Sequence, residues 1–381
     1  MGKAAAVCFL RLAMGTPHNS WLHRFALLTA IATLGLIAIG GLVTSKGVGM
    51  AVPDWPTSYG YNMFALPFSL WFTGGIFHEH THRQWASVVG VLVVILTRWL
   101  GGQQSRRPLL IIGAVELLSG VGFTIFGGEW RNVGGFLSGI GGVVLLAGVV
   151  WAKNAPAARP LPVLGWSVFW LVQLQGLFGG LRVVLDAHVF AGTRLGMWFG
   201  LFHGCLAQGF FLLLCVIALY TSKWWPAWRE QPQLALPGLQ ALRPVLFITT
   251  GLIFLQLVLG ATMRHQHAGL AIPDFPLAYG KLWPGMDADS IQRYNQQRLE
   301  VMSVNPITAA QVGLQMVHRL MACMILIGVA ASTWLAMRGL PTKYPLRRLA
   351  GIWLGLILTQ IALGAWIQKE HENGTTRSTF A

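Results

Sequence analysis

The sequence predicts an all-α polytopic membrane protein made of two tandem, pseudo-symmetric helical-bundle halves. The first half carries an inserted helical hairpin and the second is shortened. Three observations predict this. Of the 381 residues, 54% are hydrophobic and only 10% charged, whereas soluble domains carry roughly a quarter charged residues. The apolar residues fall into nine runs near the roughly 20 residues that cross a bilayer. A ten-residue polar loop sequence occurs twice, at corresponding places in the two halves.

The runs lie at about 25–45, 84–100, 108–128, 133–152, 162–185, 196–221, 244–263, 312–337 and 347–368. The net charge of +15 does not indicate nucleic acid, because most basic residues sit in short loops, where they set topology. Lys3, Arg11 and Arg24 precede the first run. Arg98, Arg106 and Arg107 separate the second and third; Lys153 and Arg159 follow the fourth, Lys223 and Arg229 the sixth, and Arg338, Lys343, Arg347 and Arg348 the eighth. Those segments are expected on the cytoplasmic side. The polar loops 46–82 and 264–311 are then outside, as is the tail. No cleavable signal peptide is evident at the N-terminus. The four cysteines have no metal-type spacing and read as structural.

The organisation follows. Residues 1–23 form a cytoplasmic segment, 24–221 the first half with its hairpin at 108–152, and 222–243 a cytoplasmic linker. Residues 244–368 form the second half and 369–381 a polar tail. The repeat anchors this division. Ala51-Val52-Pro53-Asp54-Trp55-Pro56-Thr57-Ser58-Tyr59-Gly60 matches Ala271-Ile272-Pro273-Asp274-Phe275-Pro276-Leu277-Ala278-Tyr279-Gly280 at six of ten positions. Each copy precedes a His-Arg pair, His82-Arg83 or His318-Arg319. Parallel repeats of this kind give a pseudo-two-fold axis along the membrane normal. Gln175 to Gly180 resembles Gln360 to Ala365 more weakly. A helix bearing His203 follows the first of these; the second half is expected to lack that last helix.

The histidines carry the chemistry. His82 and His318 are expected to begin their helices, and His203 to lie about seven residues into its own, roughly 10 Å deep at 1.5 Å per residue. Ionisable groups at membrane depth face the bundle interior, and two facing helices that each offer a histidine can hold a haem. The alternative for each is a histidine hydrogen-bonded to a neighbouring helix. Arg83, Arg182 and Arg319 are candidate contacts for haem propionates, since arginine binds carboxylates bidentately, or else interfacial anchors. Glu79 lies three residues before His82, on one helix face with it. A carboxylate beside a ligated iron can accept a proton; the alternative is a solvated helix-start carboxylate. The second half has Gln315 there, which cannot accept a proton in this way. His78, His80, His265 and His267 read as exposed loop residues. Glu116, alone in an apolar run, reads as a packing or hairpin residue.

Other classes remain in view. His78-Glu79-His80-Thr81-His82 fits the H-E-x-x-H zinc protease motif, but its repeat counterpart keeps only His318. A transporter is suggested by the duplicated halves, though no broken helix at mid-membrane is visible.

The residues that carry a family resemblance are Glu79-x-x-His82-Arg83, Gln175 to Val183 (QGLFGGLRV), His203-Gly204, Gly269 to Asp274, and Val317-His318-Arg319. Together they resemble the haem A synthase family over about 24–100 and 162–368. The resemblance implies two four-helix halves, the first binding haem O as substrate and the second haem B as cofactor. It implies that His82 and His203 flank the substrate iron, that Glu79 is the essential carboxylate, and that His318 is one haem B ligand. The implied reaction oxidises the C8 methyl of haem O to a formyl, producing haem A for cytochrome oxidase. A haem O synthase would supply the substrate, and an unidentified acceptor would take the electrons. A bacterial plasma membrane is expected rather than a mitochondrial one. The chain departs from the family pattern in its hairpin, in the lack of a cysteine pair in the outer loops, and in the absent last helix. The alternative reading is a non-catalytic haem-binding or dihaem electron-transfer protein, or an inactive copy. Glu79 discriminates, because a pure electron carrier has no need of it.

Overall fold

The computed structural model describes residues 19–128, 130–150, 157, 160–190, 192–225, 237–266, 268–302, 306–342 and 344–372. Lys3, Arg11, Cys8, Lys153, Arg159, Arg229, His267, Lys343 and the tail from residue 373 lie outside the described residues, as does the side chain of His371. The helices are α1 (Ser20–Ser45), α2 (Phe68–Trp71), α3 (Ile76–Gly101), α4 (Arg106–Phe126), α5 (Trp130–Val149), α6 (Leu161–Val184), α7 (Leu195–Thr221), α8 (Pro237–His265), α9 (Ala288–Met302), α10 (Ala309–Gly339) and α11 (Pro345–Glu372). The one sheet among the described residues is the two-stranded pair β1 (Val189–Phe190) and β2 (Thr193–Arg194) before α7.

Among the described residues, eight helical runs are long and apolar enough to cross a membrane. One of them, Ile76–Phe126, spans 51 residues and is broken at Gly102–Ser105, a 3₁₀ turn whose first glycine has φ 50°. Leu109 packs against Val94 in one apolar cluster, so the chain reverses there. Nine long helices result among the described residues, one for each apolar run in the sequence. The chain is an all-α integral membrane protein that crosses the bilayer several times.

The chain forms two compact units, 1–230 and 231–381. In the first, α1 packs on α3 and α7, and α6 packs on the same two helices. These four close into a bundle with α3 and α7 diagonally opposed. Its apolar core joins Leu22, Ala26 and Ala30 of α1 to Val89, Val93 and Leu96 of α3, with Val168 of α6 and Phe210 and Leu214 of α7. These lie early in α1 and α6 but late in α3 and α7, so the core fills the end of the bundle away from the 46–75 loop. The α4–α5 hairpin docks outside, with Leu109 and Val144 against Val94 and Phe169. In the second unit α10 packs against both α8 and α11.

The repeated loop sequence folds the same way twice. In each copy the aspartate carboxylate accepts two backbone N–H bonds, Asp54 from Tyr59 (2.7 Å) and Gly60 (2.8 Å), and Asp274 from Tyr279 (2.7 Å) and Gly280 (2.8 Å). The tyrosine hydroxyl donates to the carbonyl of Ala51 or Ala271. Both tyrosines hold φ 53°, a left-handed conformation that costs a non-glycine residue about 1–3 kcal/mol. The aspartate bonds offset it. Burial alone would raise the Asp54 carboxyl, but Gly60 N–H, the Thr57 hydroxyl and Tyr59 N–H together hold it below the usual range. A depressed carboxyl contributes stability above its unfolded value of about 3.9 and loses it as pH falls through the folded value. Asp54→Ala is expected to cost about 1–3 kcal/mol. It should also flatten the acid side of a thermal-unfolding profile in detergent, and an unchanged profile would remove the role given to this carboxylate.

Two expectations need correction. The second crossing helix begins at Ile76, not near residue 84, so His78 to Arg83 is helical and His82 sits almost two turns inside; likewise α10 begins at Ala309, so His318 lies more than two turns inside rather than at the helix start. Hydropathy misplaced the α3 start because the polar residues of the stretch bond to protein rather than water. His265, half-buried at the end of α8, and His78, half-buried in α3, are not exposed loop residues, and neither is His80. It is fully buried, with Nδ1 3.2 Å from Ser58 Oγ and Nε2 3.1 Å from Gln84 Nε2. The 264–311 loop also contains the amphipathic helix α9, whose Tyr294 stacks on Tyr279 at 3.5 Å between ring centroids.

Candidate functional site

At the loop end of the first bundle, His82 of α3 and His203 of α7 meet across the axis, their ring centroids 6.4 Å apart and the planes at 83°. Two imidazoles that ligate one metal ion from opposite sides, at ~2.0–2.1 Å each, put their centroids about 6 Å apart. The donor chemistry agrees. His203 Nδ1 lies 3.2 Å from the Gln175 carbonyl, which directs its N–H there and leaves the Nε2 lone pair available. Metal-ligating histidines characteristically donate their other N–H in this way. Gln175 fixes the arrangement further by donating from Nε2 to the His203 carbonyl at 3.1 Å. His82 Nδ1 is buried with no hydrogen-bond partner, an atom that a bound group would satisfy.

Glycines make room for both rings. A Cβ on Gly40 of α1 would come 2.8 Å from His82 Cε1, and one on Gly179 of α6 would come 3.4 Å from His203 Cε1. Gly40→Ala therefore forces the His82 ring aside. It is expected to cost about 1–3 kcal/mol, read from thermal unfolding in detergent. Equal stability would show that the ring has slack.

The predicted arginines divide. Arg182 of α6 lies against Gly49, where a Cβ would sit 3.0 Å from its Cζ, and is close enough to act electrostatically on both imidazoles. Arg83 is engaged elsewhere. It donates to the carbonyls of Val52 (2.9 Å), Asp54 (2.7 Å) and Thr57 (3.0 Å) and pairs with Glu79 Oε1 at 2.7 Å. Glu79 is buried at 4% exposure, not a solvated helix-start carboxylate, and its Oε2 accepts the Val52 N–H at 2.8 Å. The second unit repeats this clasp. Gln315 Oε1 accepts the Ile272 N–H at 2.7 Å, and Arg319 donates to the carbonyls of Asp274 (2.7 Å) and Leu277 (2.9 Å). In both units the arginine of the His-Arg pair and the residue three before the histidine bind the outer loop to the helix.

His318 also lies against a glycine, Gly260 of α8, where a Cβ would be 3.3 Å from its Cε1. Its Nε2 meets the Gln256 amide nitrogen at 3.1 Å and its Nδ1 is buried without a partner. The position corresponding to Gln256 in the first half is Leu36, so no repeat signal marked this glutamine. Gly40 and Gly260 do correspond, 220 positions apart like the loop copies, and that signal was available. No group of three or more His, Cys, Asp or Glu residues able to hold a metal ion occurs among the described residues. His78 and Glu79 therefore assemble no zinc site of the protease kind there.

The bundle and the facing imidazoles define an integral membrane protein with a pair of histidines meeting between its helices. Residues 129–368 match the COX15-CtaA family, described as cytochrome oxidase assembly protein, and the chain belongs to that family. Among curated relatives, the chain is similar to the heme A synthase of Symbiobacterium thermophilum, 27% identical over 230 residues, covering 60% of this chain and 65% of the relative. It is also similar to the heme A synthase of Hyphomonas neptunium, 24% identical over 320 residues, 82% of this chain and 76% of the relative. The chain thus spans just under two thirds of the length of the first of these. No solved structure matches.

Proposed function

We propose that this chain carries out haem A synthesis, oxidising the C8 methyl group of haem O to a formyl group. The observation that carries the reading is the His82–His203 pair, 6.4 Å between centroids and braced by Gln175. In this reading the two imidazoles hold the substrate iron, and Arg182, beside both rings, meets a propionate. In net terms the methyl group would take its oxygen from water and give up four electrons to the external acceptor and four protons, and Glu79, three residues before His82, would take up protons as they are released. Two of its lone-pair positions are used by Val52 and Arg83, and a carboxylate has about four.

Haem B in the second unit would supply a store for the electrons removed. His318 would help hold it, with the Gln256 amide, now 3.1 Å from Nε2, turned aside if that nitrogen is used. Arg319, like Arg83, serves the loop first. A haem O synthase is the expected source of substrate, and the electron acceptor belongs to a partner the chain does not identify. The bacterial relatives support a bacterial plasma membrane.

A second reading is a haem-binding protein without turnover. The observation that favours it is the clasp itself, since Gln315 does in the second unit what Glu79 does in the first. Chromatography of haems extracted from protein co-expressed with a haem O source separates the two. Haem A in the extract is the expected result. Haem O without haem A would favour the carrier reading, and no haem at all would remove both.

A further inference from the structure

The α4–α5 hairpin has no counterpart in the second half of the sequence, and Glu116 has no part in the chemistry proposed above. Three contacts tie this hairpin to the bundle at three levels of the membrane. At the end away from the outer loop, Arg98 of α3 donates to the carbonyls of Ala147 (3.1 Å) and Val150 (3.2 Å). Midway, Gln173 Nε2 of α6 donates to Glu116 Oε1 at 2.8 Å. At the loop end, Phe136 meets Trp55 edge-on with centroids 5.2 Å apart. Trp55 in turn covers Gly180, where a Cβ would lie 2.5 Å from its ring.

The middle contact bears on the imidazole pair. Gln173 is two residues before Gln175, and each helical residue advances about 100°. The two side chains therefore leave α6 on nearly opposite faces, Gln173 toward the hairpin and Gln175 toward α7. A polar side chain in the bilayer is held strongly to whatever partner it finds. Holding Gln173 outward sets the rotation of α6 about its axis. That rotation decides where the Gln175 carbonyl, which receives the His203 Nδ1–H, is aimed.

We propose that the hairpin is a positioning element for the imidazole pair, with Glu116 the positioning residue that acts through Gln173 and Gln175 on His203. This rests on the reading of His82 and His203 as the two ligands of one haem iron. The test uses the full chain co-expressed with a haem O source and compares optical and electron paramagnetic resonance spectra at equal protein and haem content. His203→Ala marks the signal of a lost ligand.

The unaltered chain and Glu116→Gln, which still accepts from Gln173, are expected to show the low-spin bis-imidazole signature. Glu116→Leu and Gln173→Met are each expected to raise the high-spin fraction several-fold. The exchange variant Glu116→Gln with Gln173→Glu restores the bond with its roles reversed and is expected to recover the low-spin signal. Low-spin spectra unchanged in Gln173→Met and Glu116→Leu would overturn the proposal while leaving the ligand reading intact. Absence of a low-spin signal that depends on His203 in the unaltered chain would overturn both.

Discussion

Glu79→Gln is expected to abolish haem A formation while leaving the fold and haem binding in place. The second unit provides the reason to expect a separable effect. Gln315 makes the same backbone bond to its loop, 2.7 Å to the Ile272 N–H, that Glu79 makes to Val52 at 2.8 Å. An amide therefore sustains the clasp, and Glu79→Gln keeps both shape and acceptor oxygen. It loses the negative charge and the ability to take a proton. Loss of a positioned general base typically costs 10²- to 10⁴-fold, so the yield of haem A should fall at least ~10²-fold. The measurement is haem chromatography beside a thermal-unfolding curve in detergent. An unchanged haem A yield would sink the chemical role and leave Glu79 with the structural one alone.

Arg83→Met is expected to have the larger effect on stability. Arg83 and Glu79 have 9% and 6% side-chain exposure; removing the arginine takes away the hydrogen-bonded counter-charge of the Glu79 carboxylate, whereas Gln in place of Glu79 leaves Arg83 on its three loop carbonyls. Breaking such a pair costs about 3–5 kcal/mol. The carbonyls of Val52, Asp54 and Thr57 lose their donor as well. Arg319→Met is the internal comparison. Its neighbour Gln315 is neutral, and the carboxylate that acts on it, Asp274, is only half-buried and not in direct ion-pair contact with it, so the cost should be smaller, about 1–3 kcal/mol. Equal costs for the two substitutions, read from thermal unfolding, would mean that the Glu79–Arg83 pair contributes nothing beyond its hydrogen bonds. Arg83→Lys should recover only part of the loss, because an ammonium cannot reproduce the planar fork that reaches several carbonyls at once.

The nine spans, the tandem repeat and the correspondence of His82 with His318 were legible in the amino-acid sequence alone. Each rests on a property that lies along the chain. Burial in lipid demands about 20 apolar residues, and duplicated loops keep the residues that make the same turn, as Asp54 and Tyr59 do with Asp274 and Tyr279. Where the second crossing helix begins was not legible, because hydropathy reads a polar residue as outside the membrane. Glu79, His80 and Arg83 instead find their partners in protein, in a loop 22 to 31 residues away.

Only the tertiary structure decided which way each polar side chain turns. It placed Arg83 and Arg319 on loop carbonyls and left Arg182 beside the imidazoles. It brought His203 to His82 from the diagonal helix, set Gln256 on His318 from 62 positions away, and docked the hairpin so that Glu116 meets Gln173 across 57. The physical reason is common to all of these. The bilayer offers no hydrogen bonds, so a buried donor or acceptor finds its partner, where it has one, in another part of the fold. Which part meets it depends on helix packing and rotation, and neither is written in the order of residues along one helix.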